Sequence, residues 1–315
     1  MVRAESLADA SAWAEEHRDE LRDRLDDQGA IVVRGLGLCE VSMVKEVVAA
    51  LGIRLMAERE AFASRTAHAD SLYSGSAWPA DQPMCMHHEL SYVRTAPSVL
   101  IFACLVPPTT GGATGVADSR ALIEELPKAT LGRLAREGWL LTRNYGGPVA
   151  LSWQNAFGTS SRAEVERYCR ENGIEAEWSG DKLRTRQLRP AFVRHPVSGR
   201  RCWFNQISFL SEWSLDLDVR DYLISALGAD GLSFNTAWGD GEPFAPELIN
   251  QINAVYDRVT RREPWEAGDL MLVDNVRMAH SREPFEGPRE IVAGLGNACC
   301  FAGGPGYPRQ PLTGR

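Results

Sequence analysis

The stretch Asp269-Leu-Met-Leu-Val-Asp-Asn-Val-Arg-Met-Ala-His280 decides the fold class, because an apolar run leads into a polar turn that presents a histidine. The apolar run is too short for a helix and indicates a buried strand. Similar short runs, separated by Gly and Pro, recur at residues 98–105, 115–117, 139–143, 191–194, 202–204 and 291–295. Many short strands with turn signals between them predict a β-barrel or a β-sandwich.

Helical patterns flank and interrupt these strands. Residues 6–27 and 41–51 carry apolar side chains at spacings of three and four, on either side of a predicted strand at residues 30–35. Further helical windows lie at residues 120–126, 162–171, 219–227 and 246–262. Because strands and helices do not alternate strictly, the pattern does not favour a doubly wound parallel sheet.

We expect three parts along the chain. Residues 1–60 form an α/β segment that packs on the barrel, and residues 61–302 form the barrel domain with helical and lid insertions. Residues 303–315 are rich in Gly and Pro and are expected to be a flexible tail.

Composition argues against several kinds of partner. The 34 basic and 42 acidic side chains give a net charge of -8, which does not suit nucleic acid or an anionic membrane surface. No apolar run reaches the length of a membrane span, and the N-terminus is charged where a signal peptide would be apolar. The seven cysteines are odd in number and show no paired metal spacing, so we expect reduced thiols in a cytoplasmic protein. The pattern leaves the oligomeric state open.

Three side chains form a candidate metal site. In Cys85-Met-His-His-Glu-Leu-Ser-Tyr92, His87 and Glu89 are two residues apart, so on a strand they would face the same side. Together with His280 they supply two imidazoles and one carboxylate, the ligand set of non-haem Fe(II) oxygenases. The alternatives are a polar strand edge and a structural zinc, for which Cys85 is the nearby fourth ligand.

Two further motifs suit an anionic ligand. Arg289 enters an apolar strand nine residues after His280, and its planar guanidinium can bind a carboxylate with two hydrogen bonds. Gly111-Gly-Ala-Thr-Gly115 offers a hydroxyl and free backbone amides. The alternatives are a surface arginine paired with Glu286 or Glu290 and a plain turn.

Taken in order, these motifs resemble the TauD/TfdA family of Fe(II)/2-oxoglutarate-dependent dioxygenases, and within it the SyrP-like branch. The resemblance extends over residues 70–300, and its motifs are His87-x-Glu89, Gly111-Gly-x-Thr114, His195-Pro-x-x-Gly199, Trp203-Phe-Asn205, Asp274-Asn275, His280-x-Arg282 and Gly287-Pro-Arg289. It implies a mainly β fold with flanking α-helices, in which residues 61–302 form a double-stranded β-helix (jelly-roll) barrel.

The resemblance also implies the cofactors and their residues. Fe(II) would be bound by His87, Glu89 and His280, and O2 and 2-oxoglutarate would be co-substrates. Arg289 would contact the distal carboxylate of 2-oxoglutarate, Thr114 would be a second contact, and Arg282 is the alternative to Arg289.

Other polar and aromatic side chains are candidates for less direct roles. His88 lies between two expected ligands and is predicted to pack against them without binding the metal itself. Substrate contacts are predicted for five residues, some of them in a segment where family members carry a lid over the site: Arg143, Asn144, Trp153, Asn205 and Asn275. The alternative for Arg143 is an exposed arginine in a salt bridge.

The resemblance implies a reaction class. We expect hydroxylation of an sp3 carbon of an amino acid or an amino-acid-derived intermediate in natural-product biosynthesis, either free or tethered to an acyl or peptidyl carrier protein. Halogenation is not expected, because related halogenases have Gly or Ala where this chain has Glu89. Desaturation, epoxidation and cyclisation remain open, and the alternatives outside this chemistry are a non-catalytic metabolite-binding barrel and a zinc hydrolase.

Overall fold

A computed structural model describes residues 1–4, 9–68, 71–147 and 150–301, so the predicted flexible tail lies outside the described residues. The described strands, in chain order, are β1 (Val2–Arg3), β2 (Ala30–Arg34), β3 (Leu72–Ser74), β4 (Met84–His87), β5 (Thr95–Val106), β6 (Thr110–Gly111), β7 (Thr114–Asp118), β8 (Trp139–Tyr145), β9 (Glu175–Ser179), β10 (Lys182–Arg189), β11 (Phe192–Arg194), β12 (Arg201–Trp203), β13 (Phe234–Trp238), β14 (Arg261–Glu263), β15 (Leu270–Asp274), β16 (Met278–Arg282), β17 (Phe285–Glu286) and β18 (Glu290–Cys300). The described helices are α1 (Ala10–Glu16), α2 (Arg18–Gln28), α3 (Val41–Ala50), α4 (Arg120–Glu125), α5 (Lys128–Glu137), α6 (Trp153–Phe157), α7 (Arg162–Glu171), α8 (Leu217–Leu227) and α9 (Pro246–Val259).

Two sheets form the jelly roll that the sequence predicts. The larger has the strand order β1-β2-β15-β5-β18-β3, and the smaller has the order β14-β7-β16-β4. Leu100 and Val273 of the larger sheet belong to the same buried cluster as Met86 and Ala279 of the smaller one. The two sheets therefore face each other across one hydrophobic core, with the functional strands β4 and β16 paired in the smaller sheet.

The unbroken apolar run of β15 follows from burial on both faces of the larger sheet. Met271 and Val273 point into the core between the sheets, whereas Leu270 and Leu272 join a second cluster formed with the N-terminal helices. A strand covered on both sides needs apolar residues at every position instead of at alternate ones. For this reason apolar and polar residues do not alternate along β15.

The N-terminal segment contributes a strand to the jelly roll as well as helices. Strand β2 pairs antiparallel with β15, and Ile31 lies opposite Leu272. The prediction of one continuous helix over residues 6–27 is wrong, because the helix is interrupted at His17 and forms α1 and α2. The His17 ring stacks on Trp13 and its Nδ1 lies 2.9 Å from the Trp13 carbonyl oxygen, which provides a side-chain partner at the break. The division of the chain at residue 60 stays a prediction.

A separate four-stranded sheet with the order β13-β8-β10-β9 lies in the middle of the chain. The sequence predicted β8 but missed β10, whose buried face carries Thr185, Gln187 and Arg189. Apart from Leu183, the inward face of β10 is polar, so the segment lacks the apolar alternation by which a strand is recognised. No helix in the described part of the chain is long and apolar enough to cross a membrane. Location in the cytoplasm stays a prediction.

Candidate metal centre and active site

The candidate metal site is built on the pairing of two strands. His87 ends β4 and lies directly opposite His280 of the antiparallel strand β16. The two ring centroids are 4.2 Å apart. Glu89 follows two residues after the strand, and its Oε2 lies 4.0 Å from Nε2 of His87 and 3.7 Å from Nε2 of His280. All three side chains are buried.

Glu89 reaches the histidines from a turn, not from the strand face that the sequence suggested. Strand β4 stops at His87, and Leu90 has a φ of 53°, in the left-handed region that β-branched and bulky residues avoid. The fully buried side chain of Asn275 fixes this turn. Its Oδ1 accepts from the Glu89 amide at 2.8 Å, and its Nδ2 donates to the carbonyl oxygens of Glu89 and Pro97 at 2.9 and 2.8 Å.

The protonation of the histidines suits metal binding. Burial lowers the pKa of His87 below its ordinary value, and burial with the neighbouring His87 lowers that of His280 further. Both rings are therefore neutral at neutral pH. Nδ1 of His87 lies 2.8 Å from the Cys85 carbonyl oxygen, which can only accept, so Nδ1 carries the proton and Nε2 keeps its lone pair.

The unsatisfied atoms of this cluster fit a cation. Nε2 of His87 and Oε1 of Glu89 are buried without a hydrogen-bond partner among the described residues. One ligand atom from each of His87, Glu89 and His280 can be chosen so that all lie within 4.8 Å of one another. Burying a carboxylate and bare ring nitrogens is costly unless something binds them, and a divalent metal ion binds all three.

The structural zinc alternative does not gain support. Within the described residues, the three-residue group just defined contains no cysteine. Burial raises the pKa of Cys85 above its ordinary value, so its thiol keeps its proton and is a poor metal ligand. The donor set is thus two imidazoles and one carboxylate, with the remaining positions open, which suits Fe(II) chemistry better than structural zinc.

A cavity of about 60 Å³ adjoins the three side chains, and Thr114, Arg282 and Arg289 line it as well. Arg289 is half-buried, and its Nε donates to the Gly112 carbonyl oxygen at 3.2 Å. Within the described residues, no carboxylate lies within ion-pair distance of its guanidinium. Burial lowers the pKa of Arg289 to about 10, which still leaves it charged at neutral pH. A half-buried cation without a counter-ion beside a metal site suits an anionic ligand.

Arg282 lines the same cavity, but its guanidinium is already hydrogen-bonded to the backbone. Its guanidinium donates to the carbonyl oxygens of Trp78, Pro79 and Gln82, so it holds the loop before β4. The structure therefore favours Arg289 over Arg282 for the anion, and Arg282 is better described as a loop anchor.

None of the five predicted substrate contacts lines this cavity. Arg143 is buried and donates to the carbonyl oxygens of residues 60 and 61 at 2.7 Å, between the rings of Tyr92 and Tyr145. Nδ2 of Asn144 donates to two loop carbonyl groups, and Nε1 of Trp153 donates to the Asp181 carbonyl oxygen. The polar atoms of these three side chains bind backbone groups, and a contact of any of them with substrate stays a prediction.

The remaining predicted residues, Asn205, Asn275 and His88, all make hydrogen bonds with backbone groups. Asn205 donates to the Ala191 carbonyl oxygen and accepts from the Ile207 amide, outside the cavity lining. Asn275 fixes the Glu89 turn, as described above. Nδ1 of His88 lies 2.6 Å from the Asn275 carbonyl oxygen, and burial lowers the pKa of His88 to about 4. Substrate contacts by Asn205 and Asn275 and the supporting role of His88 stay predictions.

Sequence reasoning missed several side chains that contact the candidate ligands, among them Arg65 and Phe209. Arg65 donates to Oε2 of Glu89 at 2.9 Å. Phe209 stacks on the His87 ring with centroids 4.3 Å apart, and Phe62 packs edge-on against Phe209. No motif surrounds Arg65 or Phe209 in the sequence, because each reaches the site from a loop whose path depends on the fold.

Residues 2–295 match the model of the family described as taurine catabolism dioxygenase TauD, TfdA family. The chain belongs to this family. The dapdiamide synthesis protein DdaC of Enterobacter agglomerans is 32% identical over 272 residues, which cover 86% of this chain and 83% of DdaC. A clavaminate synthase-like protein of Arabidopsis thaliana is 27% identical over 283 residues, 86% of this chain and 82% of that protein.

Solved structures agree on the fold. A taurine dioxygenase from Burkholderia xenovorans superposes with a TM-score of 0.54 at 14% identity, over 94% of this chain and 87% of that one. The family and the jelly-roll fold predicted from the sequence are confirmed. The predicted enzyme class is confirmed as well. The protein is an oxygenase that depends on iron and 2-oxoglutarate and uses O2.

Replacing Asn275 by leucine is expected to destabilise the protein. The change removes three buried hydrogen bonds and leaves backbone groups of Glu89 and Pro97 unsatisfied, which should lower the free energy of unfolding by about 2–4 kcal/mol. Urea denaturation measures this loss. Asn144→Leu is the matched control, because it also loses two bonds to backbone but at a less buried site, and it should cost about 1 kcal/mol or less. Equal losses in the two variants would contradict the role of Asn275.

Proposed function

We propose that this TauD/TfdA oxygenase hydroxylates an sp3 carbon of an amino acid or amino-acid-derived intermediate in natural-product biosynthesis. The observation that carries the metal chemistry is the buried group of His87, Glu89 and His280, which adjoins the uncompensated guanidinium of Arg289. A cation site and an anion site in one small cavity match a metal ion together with a dicarboxylate co-substrate.

The assignment of roles follows from the donor atoms. His87, Glu89 and His280 would hold the iron, which when bound activates O2 for attack on a substrate C–H bond. Arg289 would bind the distal carboxylate of 2-oxoglutarate through its free N–H groups, and Thr114 would add a hydroxyl contact. The buried cavity strengthens these charge interactions because little water competes for them.

Aromatic side chains beside His87 serve to exclude water. Phe209 stacks on its ring, and the rings of Phe62 and Trp78 pack against Phe209. An apolar cover of this kind limits side reactions of a reactive oxidant with solvent. It also leaves a reaction surface that suits an aliphatic carbon.

Two observations guide the proposal for substrate and outcome. The relative DdaC carries the name of a dapdiamide synthesis protein, which supports a role in natural-product biosynthesis. Glu89 supplies a carboxylate where a halogenase would leave room for halide, so we propose oxygen insertion over halogenation. Desaturation, epoxidation and cyclisation would use the same residues, and the substrate is taken to be a small molecule, either free or carrier-bound.

The proposal is tested by anaerobic titration of the metal-free protein with Fe(II) and 2-oxoglutarate. We expect the weak visible charge-transfer band of the chelate, and then release of succinate when O2 and a substrate are added. Amino acids and carrier-bound aminoacyl groups form the screen, and product mass distinguishes added oxygen from lost hydrogen. Tight iron binding without the band would contradict the function, and activity with Zn(II) in place of Fe(II) would favour a hydrolase.

A further inference from the structure

Arg65 is a buried cation in direct contact with the acidic side chain of the metal site. It lies in the loop between α3 and β3, and its side chain is 6% exposed. Its guanidinium donates to Oε2 of Glu89 at 2.9 Å and to Oγ of Ser76 at 3.1 Å, and it lies 3.7 Å from Oε1 of Glu58. It lines the same cavity as Arg289.

Arg65 is a permanent positive charge beside two carboxylates. An arginine keeps its charge at physiological pH, and Glu89 and Glu58 both lie within ion-pair distance of its guanidinium. Glu89 is 1% exposed, so its carboxylate needs a partner inside the protein. The contacts to Ser76 and Glu58 hold the guanidinium where it can be that partner.

This contact makes the two oxygens of Glu89 inequivalent. Oε2 receives the hydrogen bond from Arg65 and is also the oxygen near Nε2 of His87 and His280. Oε1 is buried and has no partner in the described part of the chain. A free glutamate can bind a cation through both oxygens, because its longer side chain turns easily about its last bonds. A carboxylate held by one oxygen turns less easily.

We propose that Arg65 is a positioning residue that restricts Glu89 to binding the metal through a single oxygen. This inference rests on the proposed function, since it concerns how the same site is kept ready for its co-substrates. Binding through both oxygens would occupy a coordination position that 2-oxoglutarate or O2 requires. Arg65 thus keeps that position open in a site whose acid is a glutamate and has more freedom than an aspartate.

The test compares metal binding with binding of a co-substrate analogue. Wild type, Arg65→Met and Arg65→Lys are titrated with Mn(II), and the loaded proteins are then titrated with N-oxalylglycine, which does not react. Water molecules on the metal are counted from the broadening of the Mn(II) resonance in ¹⁷O-water. Arg34→Met is the matched control, because Arg34 is also a buried, ion-paired arginine but pairs with Asp269 and Glu266.

In Arg65→Met, we expect Mn(II) to bind at least as tightly as in wild type, because a positive neighbour is gone and Glu89 can use both oxygens. N-oxalylglycine should bind about 10- to 100-fold more weakly, the usual range for losing a residue that supports a metal ligand. The metal should carry one bound water fewer. Arg65→Lys should give values between those of wild type and Arg65→Met, and Arg34→Met should match wild type in Mn(II) affinity, analogue affinity and water count.

Other outcomes overturn the inference. Unchanged analogue affinity and water count in Arg65→Met would show that Arg65 does not restrict Glu89. If Arg65→Met weakened the binding of Mn(II) and of N-oxalylglycine equally, Arg65 would have only a structural role. If circular dichroism shows that Arg65→Met is unfolded, the same measurements on Arg65→Lys decide the question. An analogue affinity and a water count equal to those of wild type in Arg65→Lys would then contradict the inference. Failure of wild type to bind Mn(II) and N-oxalylglycine together would instead overturn the proposed function.

Discussion

His280→Ala should abolish the visible band of the Fe(II) and 2-oxoglutarate chelate and all release of succinate. The variant removes one of the two imidazoles that face each other across β4 and β16, and the remaining His87 and Glu89 offer too few ligands to hold the ion. Anaerobic titration followed by absorption spectroscopy measures the band. Iron content after gel filtration measures the loss of metal directly.

His195→Ala is the matched control for this prediction. His195 is also a buried histidine, but its Nε2 donates to Oδ2 of Asp274 at 2.8 Å, and it does not line the cavity of the candidate site. Loss of that bond should lower stability and leave the band in place. A band that survives in His280→Ala, or that disappears equally in both variants, would contradict the assignment of His280.

Arg289→Met should weaken the binding of 2-oxoglutarate strongly while iron is still bound. Removing one partner of a hydrogen-bonded charge pair in a buried site costs about 2–5 kcal/mol. At ~1.4 kcal/mol for each tenfold change, this is about 30-fold or more in the dissociation constant. Titration of the chelate band with 2-oxoglutarate under nitrogen gives that constant, and the amplitude at saturation shows whether the metal site itself is intact.

Arg282→Met separates the two arginines that the sequence left as alternatives. Since the Arg282 guanidinium donates to three carbonyl groups of the loop before β4, its loss should lower stability more than it lowers affinity for 2-oxoglutarate. A larger loss of affinity in Arg282→Met than in Arg289→Met would reverse the assignment. The comparison is informative because both arginines line the same cavity.

The sequence was informative where function depends on local pattern. Strand runs and their turns predicted a β-barrel or a β-sandwich, and the family resemblance implied the jelly roll. The ligand types at residues 87, 89 and 280 predicted a metal site. Arg289 was a candidate because its planar guanidinium can bind a carboxylate and because its motif matches the family, and its role stays a prediction. The polar strand β10 was missed, since its buried face is stabilised by hydrogen bonds and its sequence lacks an apolar stripe.

Contacts between distant segments could not be read in this way. Arg143 belongs to a motif that suggested substrate binding, yet its guanidinium is bound to carbonyl groups 82 and 83 residues earlier in the chain. Asn275 is next to a strand end in the sequence, but its bonds to Glu89 span 186 residues. A side chain's partners are set by which loops the fold brings together, and the residue type alone does not specify them.

By itself, the sequence determined which residue types are present to bind a metal and a carboxylate, and which apolar segments form strands, because both follow from side-chain chemistry and short-range periodicity. Only the tertiary structure decided that Glu89 is held by Arg65 and Asn275, and that Arg289 lines the cavity with no carboxylate at ion-pair distance among the described residues. The physical reason is that hydrogen bonds and charge pairing in a buried site depend on distances between chain segments far apart in sequence.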